Sequence, residues 1–298
     1  MALKKLFEKS WPKWVGGVLL GVLNILFFLY LMPLGGIFPA MADWGLWTYK
    51  LAGIDVQAPW GSPELPHKSV RGMIVAGLVL GSLAGALLSR EFKFKKDTAG
   101  AYLKSFFGGA LMGIGSFLTG ACIIGGFYSS VMALSLSGFY MMIGLILGAY
   151  IGGKVMMRQG QKKAEKISCN VRPSAEGECK SNQPIIGALV VFMLFAAVMI
   201  YFFNGNKFFG IITLFGAAFG MVFQRSAFGF SGAFKDVLTT KKNDTMKAIL
   251  ISLIIGVLGF TAIKASGLQP VDMFVMSAGW FTIAGGMIFG FGMVFADG

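Results

Sequence analysis

The sequence predicts an all-α polytopic membrane protein built from two inverted-topology repeats with broken or re-entrant helices. Three observations support this prediction. Hydrophobic residues make up 56% of the 298 residues, and charged residues only 13%. A soluble domain carries about 25% charged residues, so this composition is typical of a protein surrounded by lipid. In addition, apolar runs recur along the chain, and glycine-rich patterns occur twice.

Eight apolar runs predict the membrane-spanning elements. Each has close to the ~20 apolar residues that a helix needs to cross a bilayer. The runs are continuous, whereas membrane β-strands alternate and are shorter. The first run lacks a small-residue cleavage site, so we interpret it as a span and not as a removed signal peptide. The runs lie near residues 14–32, 70–89, 104–127, 138–157, 185–203, 208–224, 246–263 and 273–296.

The net charge of +13 would suit a nucleic-acid partner, but the placement of the basic residues indicates membrane topology instead. Nineteen of the 26 Lys and Arg residues lie in four segments between or at the ends of the apolar runs. Cytoplasmic loops carry such an excess, which also suits anionic lipid headgroups. We therefore expect a lipid bilayer as partner, no nucleic acid, and a cytoplasmic N-terminus. The basic segments are 1–13, 90–104, 158–184 and 235–247.

The third basic segment divides the chain into two halves. Residues 1–157 form the predicted first transmembrane half, residues 158–184 a cytoplasmic linker, and residues 185–298 the second half. Residues 33–69, which are rich in Trp, Pro and Gly, are predicted as an outer loop.

Glycine spacing relates the two halves. The segment GGALMGIG at 108–115 matches GGMIFGFG at 285–292, and the charge distribution gives the two copies opposite orientations in the membrane. Such inverted repeats are typical of transporters whose substrate site lies near the middle of the bilayer. The other matched glycines are Gly17 with Gly216 and Gly21 with Gly220.

The densest glycine cluster surrounds Cys122. The segment TGACIIGG at 119–126 includes Gly120 and Gly125 and is a poor lipid-facing helix. It predicts a helix that breaks inside the membrane and leaves backbone N–H groups free to face a substrate. An ordinary glycine-rich packing face is the alternative. A lone buried cysteine is commonly an inert small hydrophobe, so a role for the Cys122 thiol does not follow from periodicity alone.

The remaining residues with reactive side chains do not indicate an enzyme. Cys169 and Cys179 lie in the linker, and their spacing matches no zinc pattern. With His67 as the only histidine, neither a Ser-His-Asp triad nor a histidine-rich metal site is expected. We expect no catalytic residues, metal or cofactor. The alternative is a membrane sulfur-transfer protein in which Cys169 and Cys179 accept sulfur.

Two longer segments resemble the YeeE/YedE family of membrane proteins. The first is TGAC followed by SLSGFYMMIGLILGAYIGGK, and the second is GMVFQRSAFGFSGAFKD. The second segment is similar to the family pattern Q-R-x-x-F-C-F followed by small residues and A-F-R-D. The resemblance covers nearly the whole chain. It implies a transporter of the prokaryotic cytoplasmic (inner) membrane.

The resemblance also implies a substrate and a path. Family members import thiosulfate or related small sulfur-containing anions through a narrow path lined with cysteines, whose thiols pass the anion on without a covalent intermediate. A selenium compound is the alternative substrate, and a cytoplasmic sulfur-carrier protein is a candidate partner. Arg225 has two interpretations, attraction of the substrate or anchoring at the membrane interface. The implied path residues are Cys122, Gly120, Gly125, Gln224, Arg225 and Gly229, the last of which stands where the family has cysteine.

The second glycine-rich copy stops just short of its own cysteine position. When the paired glycines are aligned, Gly298 falls on Ala121, so the next residue would correspond to Cys122. We expect the natural chain to continue with a cysteine there, or with a selenocysteine whose UGA codon was read as a stop.

Overall fold

A computed structural model confirms the all-α membrane fold. It describes residues 11–31, 37–54, 65, 69–92, 98–164, 183–239, 243–274, 276 and 278–296. Within these ranges, the ordered elements are eleven α-helices and one π-helix. They are α1 (Lys13–Tyr30), α2 (Phe38–Leu51), α3 (Val70–Leu88), α4 (Ala99–Thr119), the π-helix (Ile123–Ser129), α5 (Ser130–Met132), α6 (Leu136–Ala164), α7 (Gln183–Phe203), α8 (Lys207–Arg225), α9 (Phe230–Thr239), α10 (Asp244–Ala265) and α11 (Trp280–Ala296).

Six of the described helices are long and apolar enough to cross a membrane, which makes the protein a multi-span membrane protein. A seventh span is formed if α4 and the helix at Ile123–Met132 are counted together. These two segments meet at a bend of 51°. The bend confirms the predicted broken helix, although the apolar run at 104–127 is continuous in the sequence.

Glycines bring α4 and α11 into backbone contact. A Cβ atom added at Gly115 would lie 2.7 Å from the carbonyl oxygen of Gly285, and one added at Gly108 would lie 2.8 Å from that of Gly292. The two helices therefore run antiparallel, and a side chain at either crossing point would force them apart. Small residues allow this close approach in membrane helices, where the surrounding lipid provides little hydrophobic driving force.

Two further helix pairs are brought into backbone contact by glycines in the same way. In each pair, two glycines four residues apart lie against two carbonyl groups four residues apart on the neighbouring helix. An inverted repeat predicts such equivalent contacts, while the opposite insertion of the two halves stays a prediction. The contacts join Gly17 and Gly21 of α1 to Ala248 and Ser252 of α10, and Gly216 and Gly220 of α8 to Ile74 and Leu78 of α3.

The prediction of a loop at 33–69 is wrong for part of that segment, because α2 forms there. Pro39 lies in the first turn of α2, where proline costs no hydrogen bond and its fixed φ suits a helix start. The helix is held by Asp43, which is 5% exposed and lies 4.0 Å from Arg71 at the beginning of α3. Tryptophan and proline content therefore did not distinguish a loop from a short helix.

We predict that Gly115→Ala destabilises the protein while Gly109→Ala does not. A Cβ at Gly115 would meet backbone and side-chain atoms of α11 within 2.8 Å, whereas a Cβ at Gly109 would meet nothing within 4 Å. Overpacking of this kind costs about 1–3 kcal/mol. Thermal unfolding of the purified protein in detergent measures the difference. Because both changes replace a helical glycine of α4 by alanine, equal melting temperatures would contradict the close α4–α11 contact.

Candidate functional site

The break after α4 is built by a glycine and a threonine. Gly120 has φ +71°, a left-handed conformation that glycine adopts without a steric penalty, and it ends α4. The Thr119 hydroxyl lies 2.6 Å from the carbonyl oxygen of Ala121, and the Ala121 N–H donates to the same hydroxyl at 3.4 Å. The Thr119 hydroxyl also lies 3.0 Å from the carbonyl oxygen of Gly115 in the last turn of α4, so this side chain contacts backbone groups on both sides of the helix end.

A π-helix begins directly after Cys122. The backbone of Cys122 is extended, and its carbonyl oxygen accepts from the N–H of Gly126 at 2.7 Å. The carbonyl oxygen of Gly125 accepts from both the N–H and, at 2.8 Å, the hydroxyl of Ser130. Short π-helical segments occur frequently at functional sites. The first N–H groups of any helix have no intrahelical acceptors, so those that follow Cys122 face outward from the helix start.

The Cys122 sulfur lies between two helix starts. Cys122 precedes the π-helix, and its Sγ accepts from the N–H of Ile37 at 3.3 Å. Ile37 in turn precedes α2. Each helix start carries partial positive charge, so the surroundings of this sulfur favour negative charge. The sulfur accepts in its contact with Ile37, which leaves the S–H as a donor for a further group. Cys122 is 9% exposed.

The segment that carries Gly229 packs against the π-helix. The ring of Phe230 lies 5.4 Å from the Tyr128 ring and 6.5 Å from the Phe127 ring, measured between centroids. A Cβ added at Gly229 would have one neighbour within 4 Å, the backbone nitrogen of Gly232 at 4.0 Å. The position is exposed and has room for a side chain. The structure thus brings the segment that carries Gly229 next to the segment that carries Cys122.

Gln224 and Arg225 lie at the end of α8, where both contact Glu91. The Gln224 Nε2 donates to Glu91 Oε2 at 3.0 Å, and the Arg225 Nη1 lies 3.6 Å from the same oxygen. The Arg225 side chain is fully buried. The backbone carbonyl oxygen of Arg225 accepts from the backbone N–H of Trp11 at 3.0 Å. Glu91 was not predicted as a partner of these residues, because one acidic residue inside a basic loop segment gives no sign of what it contacts.

A group of four hydrogen-bonded residues beside the π-helix was also not predicted from the sequence. Asn24 of α1 donates from Nδ2 to the Met132 sulfur at 3.0 Å, and the Tyr128 and Ser252 hydroxyls form a hydrogen bond. All four residues are 0% exposed. These bonds hold the broken segment between α1 and α10. Asn24 interrupts an apolar run, and a buried polar residue in a membrane helix is a sign of a functional or packing constraint.

Several predicted residues lie outside the described part of the chain. They include Cys169 and Cys179 of the linker, His67, and Gly298, at which the second glycine-rich copy stops. Among the residues that the structure does describe, no three His, Cys, Asp or Glu side chains are grouped so as to hold a metal ion.

Comparison with known proteins identifies the family. The family model described as "Sulphur transport" matches residues 1–151 and 225–298. The chain belongs to this sulphur transport family. The match confirms the resemblance inferred from the motifs. The matched residues include Cys122, Arg225 and Gly229, and the second matched segment begins one residue after Gln224.

Three relatives illustrate the membership. The chain is 24% identical over 300 residues to "Probable transporter YedE" of Escherichia coli K12, covering 97% of this chain and 74% of the relative. It is 30% identical over 159 residues to "Thiosulfate transporter TsuA" of the same organism, covering 53% of this chain and 43% of the relative. It is 35% identical over 89 residues to TsuA of Spirochaeta thermophila, covering 30% and 27%. No solved structure matches the chain.

We predict that Gly120→Ala destabilises the protein more than Gly120→Asn. A left-handed conformation costs an ordinary L-residue about 1–2 kcal/mol, whereas asparagine tolerates it better. The space around Gly120 is open, so the backbone angle alone produces the difference. Thermal unfolding in detergent measures it. If both variants melt at the same temperature, the left-handed turn does not control this break.

Proposed function

We propose that this protein imports thiosulfate along a path that passes the Cys122 sulfur. The observation that carries the proposal is the position of this sulfur between the starts of the π-helix and α2, at a helix break inside an apolar body. Family membership supports transport of sulfur compounds. Relatives named as thiosulfate transporters support this particular substrate.

The chemistry of the site suits a small sulfur oxyanion. Moving a bare ion into an apolar interior costs tens of kcal/mol in the limiting case, so the site must replace water with donors. The Cys122 S–H and the first N–H groups of the π-helix are donors of this kind, and helix starts are common anion sites. Contact with a neutral thiol is a hydrogen bond and forms no covalent bond to the anion. The anion can therefore leave again, and no enzymatic turnover is involved.

The described contacts support the proposed orientation with a cytoplasmic N-terminus. Residues that begin or end helices next to basic segments meet at one end of the protein. Lys13 at the start of α1 donates to Thr245 at the start of α10 at 2.6 Å, and Arg225 at the end of α8 lies beside Glu91. An excess of Lys and Arg at one end is typical of the cytoplasmic side, here of the inner membrane.

In this orientation Gln224 and Arg225 belong to the cytoplasmic end of the proposed path. Glu91 neutralises Arg225 and also accepts from Gln224, so α3 and α8 are joined there. A neutralised arginine attracts the anion without holding it as a full charge would. This combines the two interpretations of Arg225, as an anchor and as an attractant.

We predict that Cys122→Ala lowers uptake of radiolabelled thiosulfate by about tenfold or more. A hydrogen bond to a charged group contributes about 1.5–3 kcal/mol, and alanine removes the donor. Uptake into cells that lack other thiosulfate transporters measures the effect, normalised to protein in the membrane fraction.

Cys169→Ser and Cys179→Ser are the matched controls, because both replace cysteines of the linker. We expect them to leave uptake unchanged. If Cys122→Ala transports normally while Cys169→Ser abolishes delivery of sulfur inside the cell, the protein is a sulfur-transfer partner and the transport path is misassigned.

We predict that Gly229→Cys increases thiosulfate uptake, while Gly229→Ser increases it less. The position has room for the side chain, and cysteine would provide a second thiol at the segment that packs against the π-helix. Initial uptake rates of both variants, at matched protein levels, test this. A decrease with cysteine, or equal effects of cysteine and serine, would show that a thiol has no role at this position.

A further inference from the structure

A cavity of about 500 Å³ opens where three membrane-spanning helices begin or end. Its wall includes Lys13, the first residue of α1, and Asp244, the first residue of α10. It also includes Ser226, which follows the last residue of α8. The ends of three apolar helices lie at one level here, so the cavity lies at the depth of the lipid headgroups.

The charge of this cavity favours an anion. Two lysines, Lys13 and Lys247, line it together with one carboxylate, Asp244. The Lys13 ammonium is fixed by its 2.6 Å hydrogen bond to the hydroxyl of Thr245, which is 4% exposed. The start of α10 adds partial positive charge, and its N-cap residue Asn243 makes no side-chain hydrogen bond there.

The composition of the wall changes with depth. Trp11 and Trp14 lie at the level of the lysines, and Trp14 is 60% exposed. Ile251 lines the cavity about two turns further along α10, toward the middle of the membrane. Tryptophan prefers the headgroup level, and isoleucine prefers acyl chains. A charged rim above an apolar floor matches a phospholipid better than a free, fully hydrated anion.

We propose that this cavity binds the headgroup of an anionic phospholipid. The phosphodiester contacts Lys13 and Lys247, and the glycerol and first acyl carbons pack against Trp14 and Ile251. The bound lipid joins the start of α1 to the start of α10. Basic pockets between membrane helices on the cytoplasmic side are sites for such headgroups. The proposal does not depend on the identity of the transported anion.

Native mass spectrometry of the full chain in detergent tests the site. Phosphatidylglycerol, phosphatidylcholine and inorganic phosphate are titrated separately. We expect phosphatidylglycerol to bind tighter than phosphatidylcholine, and inorganic phosphate not to displace it. Lys247→Gln should weaken phosphatidylglycerol binding about fivefold, and the double variant with Lys13→Gln should weaken it further, because each surface lysine contributes about that factor toward anionic lipid.

Lys154→Gln is the matched control. Lys154 lies at the same end of the protein, with its ammonium 4.4 Å from the Tyr150 ring and outside the cavity wall. We expect it to bind phosphatidylglycerol like the unchanged protein. Lys247→Gln is the decisive variant because Lys13 also bonds to Thr245. Three results would overturn the proposal: equal binding of both lipids, unchanged binding by Lys247→Gln, or full displacement of the lipid by inorganic phosphate.

Discussion

A helix that breaks inside a bilayer must satisfy its freed backbone groups from within the protein, and the rest of this structure depends on that constraint. At the Gly120 turn the Thr119 hydroxyl bonds to the carbonyl oxygen of Ala121, and in the π-helix the Ser130 hydroxyl donates to the carbonyl oxygen of Gly125. The start of α2 supplies an N–H to the Cys122 sulfur. The first N–H groups of the π-helix have no acceptor within their own helix. The same break that costs stability therefore supplies the donors on which the proposed anion site rests.

Close helix contacts stabilise such a break, because they exclude lipid from the backbone around it. The α4–α11 crossing, with glycine against glycine, holds the helix that leads into the break. The glycine pattern alone does not fix the neighbours, however. Gly286 and Gly290 of α11 lie against carbonyl groups of α6, whereas a Cβ added at Gly109 or Gly113, which match them in the repeat, would meet nothing within 4 Å. Repeated glycines mark helix faces against which another helix can pack closely. The packing of the rest of the protein determines which of these faces contact a neighbouring helix.

This distinction explains what the sequence predicts and what it does not. Composition and run length predict the helical membrane fold, and glycine density predicts the break at 120–122, because both follow from local chemistry. The helix at Phe38–Leu51 and its contact with Cys122 were not predicted, since residues 85 apart meet only through the fold. The pairing of Arg225 with Glu91 and the bond between Asn24 and Met132 were missed for the same reason. The path roles of all six predicted residues stay predictions: Cys122, Gly120, Gly125, Gln224, Arg225 and Gly229.

Cys122 and Gly229, the second of which stands where the resemblance implies a cysteine, occupy the same kind of place in this fold. The Cys122 carbonyl accepts from the N–H of Gly126 at the start of the π-helix, and the Gly229 carbonyl accepts from the N–H of Ala233 at the start of α9. A thiol at either position projects from a helix start, where partial positive charge favours an anion without a full countercharge. A lysine or arginine there would hold the anion more strongly and slow its release. Under the proposed function, thiols at helix starts suit passage of the anion. Among the residues that the structure describes, the fully buried arginine is Arg225, and it lies beside Glu91 instead.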